Sequence, residues 1–330
     1  MSIHFTRRRA ITVLAAAAGL PLLMKAGSAQ ARLARWEGTA MGAQASIQLY
    51  HADEGKAQAA LGAAQAELQR LEGMFSLYRA DSAISALNRH GRIEGAPSEL
   101  IELSRMALSY AEITEGVFDP TVQPLWQLYF RHFTAASPDA SGPAKADLDQ
   151  ALALVDWRGV AIEGESIRFA RPGMGFTLNG IAQGYITDRV ADVLKSHGFE
   201  SMLIDMGEPR ALAAKPDGSS WRIGIANPGD PKSALTEISV TDKAVATSGG
   251  YGTMFDEQGR FTHLFDPRSG STAPALTGVT VVADTAAKAD ALSTALSVAP
   301  LDKRRAIAAR AGGVKAIFVT PKGVVSTIDA

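Results

Sequence analysis

The sequence predicts an α+β fold. Three observations carry that expectation. Several long stretches place apolar residues at three- and four-residue spacing. Short runs of strand-forming residues follow one another without a helix between them. No strand–helix–strand unit recurs at a fixed period, so long helices interleave with mostly hairpin-like strands rather than with a repeated crossover.

The elements follow in chain order. Residues 1–31 stand apart from the fold. Arg7-Arg8-Arg9 precede an apolar run from Val13 to Met24, and Ser28-Ala29-Gln30-Ala31 gives a small-x-small cleavage pattern. This is the pattern of a cleaved secretory signal of the twin-arginine type. About twelve apolar residues are too few to span a bilayer, which needs roughly 20. One domain is expected over residues 32–330. Trp36–Tyr50 reads as a hairpin with Met41-Gly42 at the bend, and Ala52–Phe75 as a helix. Pro97–Thr114 reads as a second helix, with Pro97 in its first turn and Glu99 and Glu102 near its positive end. Ser137–Gly142 is a loop. Ile181–His197 is a helix closed by Gly198. Short strands are expected near Met202–Asp205, Trp221–Ile225, Glu237–Thr241, His263–Phe265 and Val279–Val282. Helices at Thr285–Val298 and Leu301–Ala311 and strands at Lys315–Val319 and Gly323–Thr327 complete the chain.

Composition narrows the function. There is no cysteine, which removes disulfides, thiolate metal sites and a cysteine nucleophile. Loss of a leader carrying Arg7, Arg8, Arg9 and Lys25 and no acid takes the formal charge from −1 to −5. A mildly acidic surface argues against nucleic-acid binding.

Four stretches could carry chemistry, and each has a plainer reading. Ala287, Asp290 and Thr294 share one helix face, where a carboxylate and a hydroxyl suit a hard cation. An exposed aspartate and a threonine bonded to its own backbone would give the same spacing. Thr262–Gly270 brings His263 to a strand end, as a general base or as a packed histidine. "ATSGGYG" (Ala246–Gly252) offers hydroxyls and N–H groups to an anion, or makes a tight turn; it lacks the lysine of a P-loop. "GVFDPTVQPLW" (Gly116–Trp126) could wall a flat ring or simply pack as a loop. "TLNGIAQGYITDRV" (Thr177–Val190) opens a helix on Gly180 and Gly184, although a helical glycine costs about 1 kcal/mol relative to alanine.

In order and spacing these stretches resemble the ApbE family, the FAD:protein FMN transferases. The resemblance spans nearly all of residues 32–330. Beyond the stretches above it rests on Thr39-Ala40-Met41-Gly42, "FSLYRADSAISALNR" (Phe75–Arg89), "HLFDPRSG" (His263–Gly270) and "ADALSTAL" (Ala289–Leu296). It implies a T-fold-like arrangement of helices and mainly antiparallel strands, with a cofactor cleft between two subdomains. It implies Mg²⁺-dependent transfer of FMN from FAD to a threonine or serine hydroxyl of an acceptor flavoprotein, releasing AMP. Hydrolysis of FAD to FMN and AMP, or flavin carriage without catalysis, are the alternatives.

Residue by residue, the resemblance assigns Met41, Tyr78, Val117, Phe118, Asp119, Thr177, Gln183, Thr247, Ser248, His263 and Leu264 to the flavin nucleotide. It assigns Gly180, Ala287, Asp290 and Thr294 to the metal, and His263 and Asp290 to catalysis. Gly180 would lack a side chain because its carbonyl lies beside the metal. Ala182 and Gly184 would keep the helix start narrow for the cofactor, and the helix N-terminus would favour the pyrophosphate. The chain departs from the family pattern at Thr177 (usually aspartate), Gln183 (usually lysine) and Gly207-Glu208-Pro209 (commonly Gly-Gly-Asp). The leader and the "NGIAQGY" form are similar to the exported, NosX-like subgroup. That subgroup implies a periplasmic enzyme whose acceptor belongs to a membrane redox complex of NosR-like kind.

The leader makes a testable statement. Replacing Arg7, Arg8 and Arg9 together by lysine is expected to strand the precursor in the cytoplasm. Fractionation that finds the variant exported and cleaved as efficiently as wild type contradicts it.

Overall fold

The computed structural model describes residues 31–228, 230–273, 278–320 and 322–330. The expected leader lies outside these residues except for Ala31. Strands β1 (Arg32–Ala40) and β2 (Ala43–His51) form the expected hairpin, with Ala40 opposite Ala43. Both loop residues, Met41 (φ 49°) and Gly42 (φ 81°), are left-handed, as a tight two-residue hairpin requires. Methionine is unusual there, and its N–H donates to the Glu72 carboxylate.

Helix α1 (Glu54–Phe75) starts at Asp53, whose side chain accepts the Lys56 N–H, and buries Leu61, Leu68, Leu71 and Phe75. Next come α2 (Ala83–His90), β3 (Arg92–Ile93) and α3 (Ser98–Ile113). Then follow α4 (Gln123–Phe133), α5 (Lys145–Leu152), β4 (Val160–Glu163) and β5 (Ser166–Phe169). Helix α6 (Ala182–Ser196) leads to β6 (Met202–Asp205), β7 (Pro209–Leu212), β8 (Trp221–Asn227), β9 (Asp230–Val240) and β10 (Lys243–Gly249). The chain ends with β11 (Gly278–Ala283), α7 (Ala286–Val298), α8 (Leu301–Ala311), β12 (Lys315–Val319) and β13 (Val325–Asp329).

Eight strands make one sheet in the order β1-β2-β6-β7-β10-β11-β12-β13, and every pair is antiparallel. One face packs on α1, α6 and α7 in the main core, which holds Ile47, Leu49, Ile204, Ala246, Val279 and Val281. The other face carries Leu203, Ala211 and Val245 against Trp221, Ile223 and Val240 of the β8–β9 ribbon. The alternation of strand side chains supplies both faces. A separate aromatic cluster joins Leu125, Tyr129 and Phe133 of α4 to Phe255, Phe261 and Phe265. Among the described residues no helix is long and apolar enough to cross a membrane.

Three local readings change. Only the first half of "GVFDPTVQPLW" is loop: α4 starts at Gln123, with Pro124 in the first turn, where its missing N–H costs nothing. "ATSGGYG" is neither a turn nor an anion loop at its start. Ala246–Gly249 extends β10, because Thr247 and Ser248 pair with Thr280 and Val279 of β11. His263–Phe265 is not a strand: only Phe265 makes a bridge, to Thr272, and the segment is otherwise loop.

The two central helices meet closely. A Cβ on Gly184 of α6 would lie 2.2 Å from the Ala286 carbonyl oxygen and 2.6 Å from the Ala287 nitrogen at the start of α7. No side chain fits between two backbones at that separation. Gly184 is therefore small for helix crossing, not to make room for the cofactor. Gly184→Ala is expected to cost about 3 kcal/mol, the upper part of the overpacking range, in denaturant unfolding. Gly62→Ala, at an α1 position whose Cβ would meet nothing within 4 Å, is expected to gain about 0.5–1 kcal/mol. Equal effects of the two substitutions would contradict the close crossing.

Candidate functional site

A cavity of about 420 Å³ opens between the α6–α7 layer and the aromatic cluster of α4. Met41, Tyr78, Val117, Phe118, Asp119, Thr177, Gly180, Gln183, Ser248, His263, Leu264 and Thr294 all lie in its wall. The sequence reading marked each of them. Thr247, Ala287 and Asp290 do not line it. Thr247 points to the opposite face of the sheet, where its hydroxyl shares a hydrogen bond with Thr280 (2.8 Å). Its neighbour Ser248 faces α7 and bonds Ser293 (2.7 Å) and Thr294 (3.3 Å), as strand alternation demands. Ala287 lies just behind the wall, its N–H donated to Asp188.

Asp290 is 2% exposed and sits one turn before Thr294 on α7. Its Oδ2 accepts the Gly184 N–H at 3.0 Å. Ile181, at the N-cap of α6, supplies no side-chain cap, so the carboxylate of the facing helix stabilises that terminus instead. The exchange is reciprocal. Asp188 of α6 accepts the Ala286 and Ala287 N–H groups at the start of α7, at 2.9 and 3.0 Å, and is held by Arg210 at 2.6 Å. Each helix thus caps the other. Burial raises the Asp188 pKa, and the Arg210 charge and the two N–H donors oppose that rise. In the first turn of α6 the Ala182 N–H goes to the Leu178 carbonyl and the Gly184 N–H to Asp290. The helix itself begins at Ala182, and Gly180 occupies the turn before it.

Gly180 presses on Thr294. A Cβ there would lie 3.1 Å from Phe118 and 3.2 Å from the Thr294 hydroxyl oxygen. Asp290 and Thr294 lie one turn apart on α7, with Gly180 against Thr294. A buried carboxylate and a hydroxyl at that spacing are oxygen donors of the kind a hard cation such as Mg²⁺ takes. No group of three or more His, Cys, Asp or Glu that could hold a metal occurs among the described residues.

His263 stands in a loop across the cavity. Its Nδ1–H donates to the Thr253 carbonyl (3.1 Å). Asp119 is occupied by its own loop. Thr121 donates its N–H and hydroxyl to Oδ1 (2.7 and 2.6 Å), and the Trp157 N–H goes to Oδ2. Burial pushes the Asp119 carboxyl up to about 6 against those bonds. Gln183 is 4% exposed, and no hydrogen bond from the described residues holds its amide. That amide lies against Gly207 (φ 107°), where a Cβ would come within 2.1 Å of Nε2.

Gln123 and Trp126, within the stretch read as able to wall a flat ring, are also in the wall, as are Phe130 and Asn179, which the sequence did not single out. Trp126 and Phe130 stack at 4.9 Å, an i,i+4 pair visible only once α4 is known to be helical.

A model of the ApbE family matches residues 41–318. The chain is 31% identical over 282 residues to the FAD:protein FMN transferase of Treponema pallidum, covering 77% of this chain and 75% of that one. It is 32% identical over 247 residues to the FAD:protein FMN transferase of Vibrio cholerae, covering 73% of each. Among solved structures it is similar to apo flavinyl transferase ApbE of Pseudomonas stutzeri, with TM-score 0.75 and 29% identity over 91% of this chain and 96% of that one. It is also similar to Vibrio cholerae flavin transferase ApbE, with TM-score 0.77 and 27% identity over 90% and 96%.

Beside the cavity, the buried Asp205 accepts the Gly207 N–H at 2.9 Å and its carboxyl is pushed up to about 7 by desolvation. The unfolded chain releases that proton near the ordinary value of 3.8. The contribution of Asp205 to stability is therefore full at low pH, falls between about pH 4 and 7, and stays low above that. Asp205→Asn keeps an acceptor for Gly207. It is expected to match wild type in unfolding at pH 4 and to exceed it by on the order of 3 kcal/mol at pH 8. A pH-independent difference contradicts this.

Proposed function

The chain belongs to the ApbE family of flavin transferases, and from that premise we propose that it moves the FMN half of FAD onto a threonine or serine hydroxyl of an acceptor flavoprotein. Mg²⁺ would sit at the pyrophosphate, and AMP would leave. One observation carries the reading: His263 and the Gly180–Thr294 contact face the same cavity, and Asp290 lies one turn before Thr294 on α7.

The reaction forms a bond from the acceptor oxygen to the FMN phosphorus and breaks the phosphorus–oxygen bond to the AMP phosphate. The acceptor hydroxyl loses its proton to His263, whose ring is held by the Nδ1–H bond to Thr253. Asp290 and the oxygens around it would hold Mg²⁺, which neutralises charge on the pyrophosphate oxygens. The Asp290 carboxylate is buried and accepts the Gly184 N–H, which makes His263, in the cavity wall, the better placed of the two to meet a protein acceptor. Phe118, Trp126 and Leu264 offer apolar surface for a flat ring and keep water from it. Phosphoryl transfer needs little more than this positioning and charge neutralisation. We also propose that the enzyme works in the periplasm after twin-arginine export as one domain over residues 32–330, on a domain of a membrane redox complex.

The decisive assay incubates the exported form with FAD, Mg²⁺ and candidate acceptor domains. Transfer gives a fluorescent acceptor band and AMP in equal amount. Free FMN with AMP would mean hydrolysis, and unchanged FAD would mean carriage. His263→Ala is expected to slow transfer about 10²–10⁴-fold while FAD affinity changes little. Asp290→Asn keeps an oxygen acceptor for Gly184, so the variant is expected to fold and to lose most activity at limiting Mg²⁺. An Asp290→Asn enzyme with wild-type rates under those conditions would remove the carboxylate from the metal site.

A further inference from the structure

The loop that carries His263 is braced by two isolated bridges, Met254 to Thr262 and Phe265 to Thr272. Around the first, the Phe255 N–H goes to the Phe261 carbonyl (2.8 Å) and the His263 N–H to the Thr253 carbonyl (3.1 Å). These bonds flank Met254 and Thr262, which are therefore a non-hydrogen-bonded antiparallel pair. In such a pair the N–H and C=O of each residue point away from the other. Thr253 is extended (φ −151°, ψ 117°), so residues 253–255 make a short outer edge. Among the described residues nothing takes the Met254 N–H or C=O. The Met254 side chain is 44% exposed. Sheet edges are ordinarily blunted by charge, as β1 is by Arg32, Arg35 and Glu37. This edge presents an apolar residue and open backbone instead.

The edge adjoins the site. Thr253 and His263 both line the cavity, and the His263 ring leans back to bond the Thr253 carbonyl. Strand alternation puts Thr253 and Phe255 on one face and Met254 on the other. Phe255 packs on the aromatic cluster, so the Thr253 face is the one turned to the cavity. We propose that residues 253–255 take up an extended segment of the acceptor protein as an added antiparallel strand, which delivers its hydroxyl to His263. This inference rests on the transfer reading above, which requires a polypeptide hydroxyl at that place. One residue of the segment exchanges both backbone bonds with Met254. Its neighbour lies opposite Thr253, Cβ to Cβ about 4.5–5.5 Å, with its side chain on the His263 face. A threonine or serine at that neighbour turns its hydroxyl into the cavity. Main-chain pairing supplies affinity without reading sequence, so the partner is any exposed, extended, hydroxyl-bearing segment. Met254, flexible and apolar, adapts to the side chain beside it. Two bonds make a weak contact, which suits an enzyme that must release its product.

The test uses an acceptor domain that wild type labels in the assay above. Met254→Pro removes the outward N–H and leaves the internal bonds, as proline does on an edge strand. Thr253 already has the extended backbone that a residue before proline needs. The variant is expected to raise the acceptor KM about 10-fold, with kcat and FAD affinity, read by flavin fluorescence quenching, within about 2-fold of wild type. Met254→Ala keeps the N–H and is expected to raise that KM by no more than about 3-fold. In wild type with FAD, adding the acceptor is expected to slow hydrogen exchange at the Met254 amide. A folded Met254→Pro enzyme with the wild-type acceptor KM overturns the inference and leaves the transfer reading intact. An equal rise in Met254→Ala overturns it too, because the side chain rather than the backbone would carry the contact. So does a matching loss of FAD affinity, which would put the edge in the nucleotide site. If the proline variant does not fold, exchange decides: an unprotected Met254 amide in the presence of acceptor overturns the inference. Wild type that labels no acceptor domain overturns the transfer reading and this inference with it.

Discussion

The crossing of α6 over the start of α7 is the constraint on which the rest depends. Two helix backbones approach so closely at Gly184 that even a methyl group is excluded. At that separation the N-terminal N–H groups of each helix have little room for water, and each helix must satisfy the other. Asp290 caps α6, and Asp188, fixed by Arg210, caps α7. The carboxylates lie about 100 residues apart in sequence, so the junction exists only in the folded sheet–helix layer. Because α7 packs on β10 and β11, that junction also bears on where Thr294 meets Ser248 of β10.

The site inherits its geometry from that junction. Gly180 rests on Thr294 because α6 cannot slide along α7, and Phe118 closes the same contact from the loop before α4. The cavity thus has one wall built by helix packing and another built by loops around the aromatic cluster. The helix wall carries Gly180 and Thr294, and the loop wall carries His263. Asp290 stabilises the start of α6 through the Gly184 N–H. A substitution there therefore has to preserve the hydrogen bond before its effect on chemistry can be read.

Much of this was legible in the sequence, for local reasons. The β1–β2 hairpin, α1, α3, α6, α7 and α8 appear within a few residues of their expected places, because caps, prolines and periodicity are local signals. The stretches that carry the family resemblance brought most of the cavity wall with them. What failed was long-range. Gly184 was read as leaving room for a ligand, because only the fold shows the backbone it meets. Thr247 and Ser248 looked equivalent until α7 gave one face of β10 to the cavity and the other to Thr280. The glycine-rich "ATSGGYG" hid a strand whose existence depends on pairing with β11. Pro124 hid the start of α4, and with it the stacked Trp126–Phe130 pair.

The account places the metal seat at the α6–α7 junction. Anomalous diffraction from crystals grown with FAD and Mn²⁺ tests that most directly. The account predicts a manganese peak about 2 Å from an Asp290 carboxylate oxygen and the Thr294 hydroxyl, beside the pyrophosphate. A peak bound elsewhere in the cavity, with Asp290 bonded only to the Gly184 N–H, would contradict it.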